Sequence, residues 1–189
     1  LERWLKVQML WCSLESVFTG GDIAKQMPVE AKKFNKIDKE WGKIMIKSQV
    51  TSLVFACTED EVLREHLPPM FTDLEGCQRA LEGYLEKKRN MLPRFYFCSN
   101  PVLLQILSQG SNPQKVQPYY QNVFDAIDHV VHDDDNKALI NSMVSIFKGQ
   151  EEDIMFSSPV VAKGNIEEWL AKMKIEMQST MKELCRKCA

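Results

Sequence analysis

The segment between residues 84 and 107 constrains the fold more than any other part of this 189-residue chain. It contains a basic run, Lys87–Arg89, of the kind that is favoured at the C-terminus of a helix. Pro93 follows, and Phe95–Phe97 then has the aromatic composition of a short strand. Asn100-Pro101 fits the cap and the first residue of a further apolar helix. The segment therefore predicts a helix–strand–helix junction, and it contains no catalytic or ligand-binding motif.

The composition excludes several classes of protein. Hydrophobic residues make up 44% of the chain and charged residues 26%, so it can bury a core. A net charge of −2 argues against a dedicated nucleic-acid binder, and no apolar run approaches the roughly 20 residues that span a bilayer. We therefore expect neither a nucleic acid nor a membrane as partner. Without a signal-peptide pattern or an initial Met, the chain is expected to be an intracellular fragment of a larger protein, with its six cysteines mostly reduced core thiols.

Apolar stripes in the N-terminal half recur at spacings of three and four residues, which predicts helices. The first helix is expected from about Leu1 to Phe18, ended by Gly20-Gly21, and Pro28 is expected to begin the second. The stripe residues are Trp4, Val7, Trp11, Leu14 and Phe18 in the first helix, and Phe34, Ile37, Trp41 and Ile44 in the second. Two neighbouring aromatic stripes predict an antiparallel helix pair.

A third helical region lies before the junction. Thr58–Glu61 fits a capping box that opens a short helix, and Pro68-Pro69 is expected to stop it. A longer helix should follow, with one apolar side formed by Phe71, Leu74, Cys77, Leu81 and Tyr84.

The C-terminal half shows a mixed pattern. Residues 127–131 are a candidate strand, and a hairpin is expected at about 140–157, with Gly149 in its turn. Asn112-Pro113, like Asn100-Pro101, fits the cap and the first residue of a helix. Asn165–Glu168 is a capping box for a long helix over 165–186. The apolar face of that helix is Ile166, Trp169, Met173, Met177, Met181 and Leu184. The fold class is therefore mainly α: a helical bundle over 1–92, and a mixed subdomain over 93–189 with a small antiparallel sheet.

Candidate chemical sites are weak. Neither G-x-x-x-x-G-K-[ST] nor G-x-G-x-x-G occurs, and no G-x-S-x-G nucleophile motif is present. Cys185 and Cys188 have C-x-x-C spacing without the second pair that zinc needs, and they close a helix, whereas a redox motif follows a strand and opens one. One core-facing and one exposed structural thiol are therefore favoured over a zinc site or a redox motif. His132–Asp135 lacks the glycine and the distal Glu of a calcium loop, which favours a solvated turn. Lys87–Arg89 could contact an acidic protein or microtubule surface, but a solvated helix cap is favoured. We predict no catalytic, cofactor-binding or metal-binding residue.

The whole chain resembles the linker region of dynein heavy chains, and the strongest matches are Leu81–Arg89 and Pro93–Phe97. Gly20–Pro28 and Phe34–Trp41 resemble the axonemal type, most closely the outer-arm gamma heavy chains. Many relatives have a longer Asp-Pro opening where this chain has Asn100-Pro101. The residues that we take as the family signature are Pro93, Arg94, Phe95, Tyr96, Phe97 and Trp169.

The resemblance implies a mechanical role. In that family the linker is a rod of helical bundles lying across a ring of AAA+ modules, and it bends and straightens to produce the power stroke of ciliary and flagellar movement. ATP and Mg are bound by the ring, so no cofactor and no enzymatic activity are expected in this segment. The implied partners are the ring, the remaining linker, microtubules and other dynein chains, and the implied location is the cytoskeleton of the axoneme.

We also expect one contact surface, and two alternative functions stay open. The hairpin tip, Lys148, Gly149 and Gln150, is a candidate contact with the ring or a partner. The alternative function is a static helical scaffold for protein interactions, against which the predicted strands count. A small intracellular enzyme is a third possibility that no motif supports.

Overall fold

The computed structural model describes residues 1–19, 22–51, 53–110 and 112–188. The chain divides into two compact units, Leu1–Tyr84 and Leu85–Ala189. The predicted helix end at Gly20-Gly21 lies outside the described residues.

The first unit is helical. Its elements are α1 (Glu2–Phe18), α2 (Asp22–Gln26), α3 (Pro28–Val50), α4 (Val54–Thr58) and the first part of α5 (Glu61–Met91). The predictions of α1 and α3 are confirmed, including Pro28 as the first residue of α3. The short helix α2 was not predicted, because five residues are too few to show a periodic stripe.

Helices α1 and α3 pack against each other through aromatic side chains. The rings of Trp4 and Trp41 meet edge to face, with centroids 5.7 Å apart. Phe18 stacks on Phe34 at 5.6 Å. The start of α1 thus lies beside the later part of α3 and its end beside the early part, which confirms the antiparallel pair.

The predicted stop at Pro68-Pro69 is wrong, because α5 continues through both prolines. An interior proline removes one helical hydrogen bond and costs about 3 kcal/mol or more. The buried stripe of Leu63, Leu67, Met70 and Leu74 runs across this point without interruption. The carbonyls that lose their donors belong to Arg64 and Glu65, which are exposed and can be hydrated. Burial of the stripe therefore outweighs the local defect.

The predicted capping box at Thr58 is also wrong. Thr58 is the last residue of α4, and its hydroxyl donates to the Val54 carbonyl at 2.9 Å. The cap of α5 is Asp60, whose carboxylate accepts the backbone N–H of Val62 at 3.1 Å. The same acidic cluster supplies the cap two residues later because a separate helical turn occupies Val54–Thr58.

The second unit combines short helices with a sheet. Its elements are the end of α5, a 3-10 helix (Pro93–Phe97), α6 (Asn100–Ser108), a second 3-10 helix (Pro113–Tyr119), α7 (Tyr120–Val123), β1 (His129–His132), β2 (Leu139–Phe147), β3 (Gln150–Val161) and α8 (Ile166–Cys188). Large side chains that are almost fully buried form its core: Phe95, Leu103, Ile106, Tyr120 and Trp169. The predicted fold class, mainly α with a small antiparallel sheet in the C-terminal half, is confirmed.

The sheet is a meander in the order β1-β2-β3, and both pairings are antiparallel. Strands β2 and β3 form the predicted hairpin, with a turn at Lys148 (φ 50°) and Gly149 (φ 78°). Pairing is interrupted once: Ile140 lies opposite Val160, but Ser142 lies opposite Met155. Residues 156–159 therefore form a bulge in β3. We call residues 142–155, beyond the bulge, the hairpin arm.

Candidate functional site

The signature segment after α5 forms a 3-10 helix, so the predicted strand at Phe95–Phe97 is wrong. Leu92 is extended, as is usual before a proline, and Pro93 then begins the tight helix. The backbone N–H of Phe95 donates to the Leu92 carbonyl at 2.9 Å, and that of Cys98 donates to the Phe95 carbonyl at 3.1 Å. Local turn bonds thus satisfy backbone groups that a strand would have paired with a neighbour.

The three aromatic residues of this 3-10 helix have different environments. Phe95 is fully buried, whereas Tyr96 and Phe97 are 53% and 80% exposed. The Tyr96 hydroxyl donates to a Glu86 carboxylate oxygen at 2.6 Å, and this bond raises the pKa of Tyr96. Phe95 is therefore a core anchor, and Phe97 belongs to the surface.

Arg94 joins the 3-10 helix to the short helix α7. Its Nη1 donates to the carbonyl of Val123 at 3.1 Å, and its guanidinium lies 5.0 Å from the centroid of the Phe124 ring. A hydrogen bond and a cation–π contact from one guanidinium fix the direction in which the chain leaves the junction. Pro93 is exposed at the start of the turn, whereas Trp169 of α8 is fully buried.

Arg89 explains why the predicted cap of α6 is displaced by one residue. The N-cap position of α6 is Ser99, and Asn100 is the first helical residue. The Asn100 side-chain oxygen accepts from Arg89 Nη2 at 2.6 Å, and the same nitrogen lies 3.4 Å from the Cys98 carbonyl oxygen. The Asn100 amide thus binds a guanidinium rather than a backbone N–H.

Lys88 is buried, which corrects the prediction of a fully solvated basic cap at Lys87–Arg89. Its side chain forms an ion pair with Glu167 in the first turn of α8, with Nζ 2.5 Å from Oε1. Lys88 is 7% exposed and Glu167 2%. The signal in the sequence was the spacing of Lys88 from Leu85 and Leu92, which places all three on one buried face of the chain.

The tip of the hairpin arm is exposed at every residue from Ile146 to Asp153. The Lys148 ammonium lies 5.3 Å from the centroid of the Phe147 ring, which is itself 70% exposed. Gly149 completes the turn, and Gln150 begins β3, followed by the acidic run Glu151–Asp153. The tip thus presents an aromatic ring, a cation and carboxylates to the surroundings.

The bulge at the base of the arm is held by three side chains of α8. The backbone N–H of Ser157 donates to Thr180 Oγ1 at 3.2 Å, and that of Ser158 donates to Glu176 Oε1 at 2.9 Å. The Ser157 hydroxyl donates to Glu183 Oε2 at 2.8 Å. We call Glu176, Thr180 and Glu183 the α8 clamp. Side chains of a helix thus satisfy N–H groups of an edge strand that would otherwise be open to solvent or to another strand.

A groove of about 550 Å³ lies between the arm and the later turns of α8. Its apolar lining is Ile127, Met143, Ile154, Met177 and Met181. The predicted apolar face of α8 is buried at Ile166, Trp169 and Met173, but Met181 and Leu184 are 42% and 37% exposed. The helix therefore completes the core only over its first turns.

The two remaining predicted motifs are the C-x-x-C pair and the segment His132–Asp135. Cys185 and Cys188 are both exposed, which corrects the prediction of one core-facing thiol. His132–Asp135 ends β1 and opens a turn in which the Asp133 carboxylate accepts the backbone N–H groups of Asp135 and Asn136 at 3.1 and 2.9 Å. These bonds, with that of Asn136 the stronger, hold the pKa of Asp133 below its usual value.

Two absences among the described residues limit the class of site. Within the described ranges, no group of three or more His, Cys, Asp or Glu side chains is placed to hold a metal ion. Of the helices that the structure describes, none combines the length and apolar character needed to cross a bilayer.

Comparison with known proteins agrees with the predicted family. Residues 1–188 match the family described as dynein heavy chain, N-terminal region 2. The chain is 44% identical over its whole length to dynein axonemal heavy chain 5 of Rattus norvegicus, and 46% identical over 95% of its length to dynein axonemal heavy chain 8 of Mus musculus. It is 40% identical over 99% of its length to the flagellar outer-arm dynein gamma chain of Chlamydomonas reinhardtii.

The match covers 5% of the heavy chain 5 sequence and 4% of each of the other two. Family membership therefore concerns one region of much longer proteins. With a family match over nearly every residue and these levels of identity, the chain belongs to the dynein heavy chain family, in its N-terminal region 2.

Proposed function

We propose that this chain is a mechanical segment of the linker in an axonemal dynein heavy chain, passing ATP-driven changes of the AAA+ ring into the power stroke. The observation that carries the proposal is the family match over residues 1–188, together with axonemal relatives at 40 to 46% identity. The ATP and Mg sites belong to the ring, outside this segment. Its partners are the ring, the remaining linker, microtubules and other dynein chains, within a cilium or flagellum.

The second unit has features that suit force transmission. A segment that transmits displacement must resist deformation, and close-packed cores with few alternative arrangements do so. The Lys88–Glu167 ion pair ties the end of α5 to the first turn of α8. The α8 clamp ties the base of the hairpin arm to the middle of the same helix. Displacement of α8 would therefore carry the arm with it.

The hairpin tip is the proposed contact with the ring or a partner. Phe147 offers a large exposed apolar surface at the end of the arm, and Lys148 adds a charge beside it. Aromatic side chains such as that of Phe147 are enriched at protein interfaces. Lys148 and Gly149 form the turn that presents them, and Gln150 pairs with Phe147 at the start of β3.

Energy transfer between a fluorophore near Gly149 and a second one on the ring of an intact motor tests the mechanical role. We expect a reversible change in transfer efficiency on adding ATP, since a mechanical segment must change its position relative to the ring. A motor that cannot hydrolyse ATP is the control. Unchanged transfer in a motor shown to hydrolyse ATP would contradict the proposal and favour the static scaffold.

A charge and ring substitution tests the tip contact in the same motor. The double variant Phe147→Ser, Lys148→Glu should lower microtubule gliding velocity, because it removes the apolar ring and reverses the charge. Lys163→Glu is a matched control, since it reverses an exposed charge between β3 and α8. Unchanged velocity in the tip variant would exclude the contact, whatever the outcome of the energy-transfer experiment.

A further inference from the structure

The last turns of α8 carry two solvent-exposed thiols. Cys185 and Cys188 are both exposed, whereas Cys77 and Cys98 are buried in their units. Cys188 continues the exposed stripe of Met181 and Leu184, at spacings of three and four residues. The two thiols are about one helical turn apart on α8.

Helix geometry brings the Cα atoms of these two cysteines within the range found in disulfides. Residues three apart on an α-helix have Cα atoms about 5 Å apart, because the rise is about 1.5 Å and the turn about 100° per residue. Disulfide-bonded cysteines have Cα atoms roughly 4.4 to 6.8 Å apart. The Cβ atoms of such residues are about 5 to 6 Å apart, whereas those of a disulfide are roughly 3.5 to 4.5 Å apart. Ring closure therefore distorts this turn of α8, and such a strained disulfide is easily reduced.

The charged side chains beside Cys185 and Cys188 favour an anionic reagent. The last turn of α8 also contains Arg186 and Lys187. Lys187 is 68% exposed in its side chain, although it bonds Glu183 at 2.9 Å. A cationic surface raises the local concentration of small anions, and the glutathione disulfide is an anionic disulfide of low molecular weight.

We propose that Cys185 and Cys188 form a dithiol site that is oxidised to an intrahelical disulfide by an anionic low-molecular-weight disulfide. The thiolate of one cysteine attacks the reagent, forms a mixed disulfide and releases one thiolate of the reagent. The thiolate of the other cysteine then attacks the first cysteine sulfur and displaces the second half of the reagent. Two protein thiols are oxidised and lose their protons to solvent, and one disulfide is reduced to two thiols.

The site responds to the redox state of its surroundings. A reducing glutathione pool keeps most exposed protein disulfides open, so the bond forms only when the disulfide form of that pool rises. Ring closure would stiffen the end of α8 beside Met181, a residue of the groove. The proposal does not depend on the mechanical function and stands if that function fails.

The test exposes the 189-residue chain to oxidised glutathione, blocks remaining thiols by alkylation and maps the products by mass spectrometry. The protease must leave residues 184–188 on one peptide. Cys12 serves as the internal control, because it is an exposed thiol in the first unit. The variants Cys185→Ser and Cys188→Ser remove one partner each.

We expect the α8 peptide to lose two hydrogens and to retain no glutathione, while Cys12 retains one. Occupancy of the glutathione adduct on α8 should be at least about tenfold lower than on Cys12, since the second thiol acts at an effective concentration on the order of millimolar or higher. Each serine variant should trap a stable adduct. Stable adducts on the wild-type α8 peptide, or no reaction there while Cys12 is converted, would overturn the proposal.

Discussion

Lys88 and Glu167 are 79 residues apart in sequence, yet their charged atoms lie 2.5 Å apart in the interior of the second unit. Glu167 lies in the first turn of α8, where the helix dipole also favours a carboxylate. Removing two charges from water is costly, and that cost is recovered only while both partners are present.

Replacing one partner should therefore be much worse than replacing both. We expect Glu167→Leu to lower the free energy of unfolding by about 3 to 5 kcal/mol, because it leaves the ammonium buried without this carboxylate. The double variant Lys88→Met, Glu167→Leu should recover most of that loss. Urea unfolding of the chain measures both. The control Lys187→Met breaks an exposed ion pair and should change the urea midpoint little. A double variant as unstable as Glu167→Leu would show that the loss of stability does not come from separating the two charges.

Phe95 and Phe97 form a matched pair for testing the signature segment. Phe95→Ala should cost about 3 to 5 kcal/mol of unfolding free energy, because it opens a cavity at a fully buried position. Phe97→Ala removes the same atoms from a position that is 80% exposed and should stay within about 0.5 kcal/mol. Chemical denaturation measures the unfolding free energy of both variants. Similar losses of unfolding free energy in the two would contradict the 3-10 geometry, in which only Phe95 is buried.

Thr180→Val tests the α8 clamp with little change of shape. The substitution removes the acceptor of the Ser157 N–H at a position only 3% exposed, so we expect a loss of roughly 1 to 3 kcal/mol. Hydrogen exchange at the Ser157 amide should become faster, and so should exchange at the other amides of the bulge. The control Ser179→Ala changes an exposed hydroxyl on the same helix. Unchanged exchange at Ser157 would mean that the clamp does not restrain the arm.

Asp133 should make part of the stability depend on acid pH. Its pKa is lower in the folded chain than in the unfolded one, mainly because the Asn136 backbone N–H bonds the carboxylate. The folded state therefore binds this proton less readily, and the stabilisation is present above the unfolded pKa and is lost as pH falls through the folded pKa. Asp133→Asn keeps an acceptor oxygen but removes the titration.

The comparison needs urea midpoints at neutral pH and at about pH 3. We expect the difference between wild type and Asp133→Asn to shrink on acidification. Asp134→Asn is the control, since the Asp134 carboxylate faces solvent and contacts only the Lys137 ammonium, at 3.2 Å, among the described residues. A constant difference between wild type and Asp133→Asn would show that the charge of Asp133 contributes nothing.

Periodic patterns in the sequence were sufficient to predict α1, α3 and α8. The stripe through Phe34 and Trp41 located α3, and the stripe from Ile166 to Met173 located the buried part of α8. Gly149 located the hairpin because its turn requires positive φ, which few other residues accept. Each of these signals depends on neighbours within a few residues, so no knowledge of the tertiary structure was needed.

The errors arose where distant residues decide the outcome. Phe95–Phe97 has strand propensity, but its backbone bonds close 3-10 turns between Leu92 and Cys98, and Pro93 favours a turn. Pro68-Pro69 should end a helix, but the buried stripe on both sides of it continues. Lys88 was expected at the surface because its carboxylate partner, Glu167 in the first turn of α8, is 79 residues away and lies outside any local pattern. No local pattern in the sequence predicts the hydrogen bonds of the α8 clamp.

The bulge at residues 156–159 has a consequence for the length of the arm. Pairing at the base, Ile140 with Val160, and pairing beyond the bulge, Ser142 with Met155, follow different registers. Residues can therefore be added to or removed from both strands of the arm without changing the base or its bonds to α8. Each residue pair would move the tip by about 3.4 Å, and two pairs would keep every side chain on its original face. The reach of the arm is thus a quantity that evolution or an engineer can adjust in steps while the rest of the unit stays as it is.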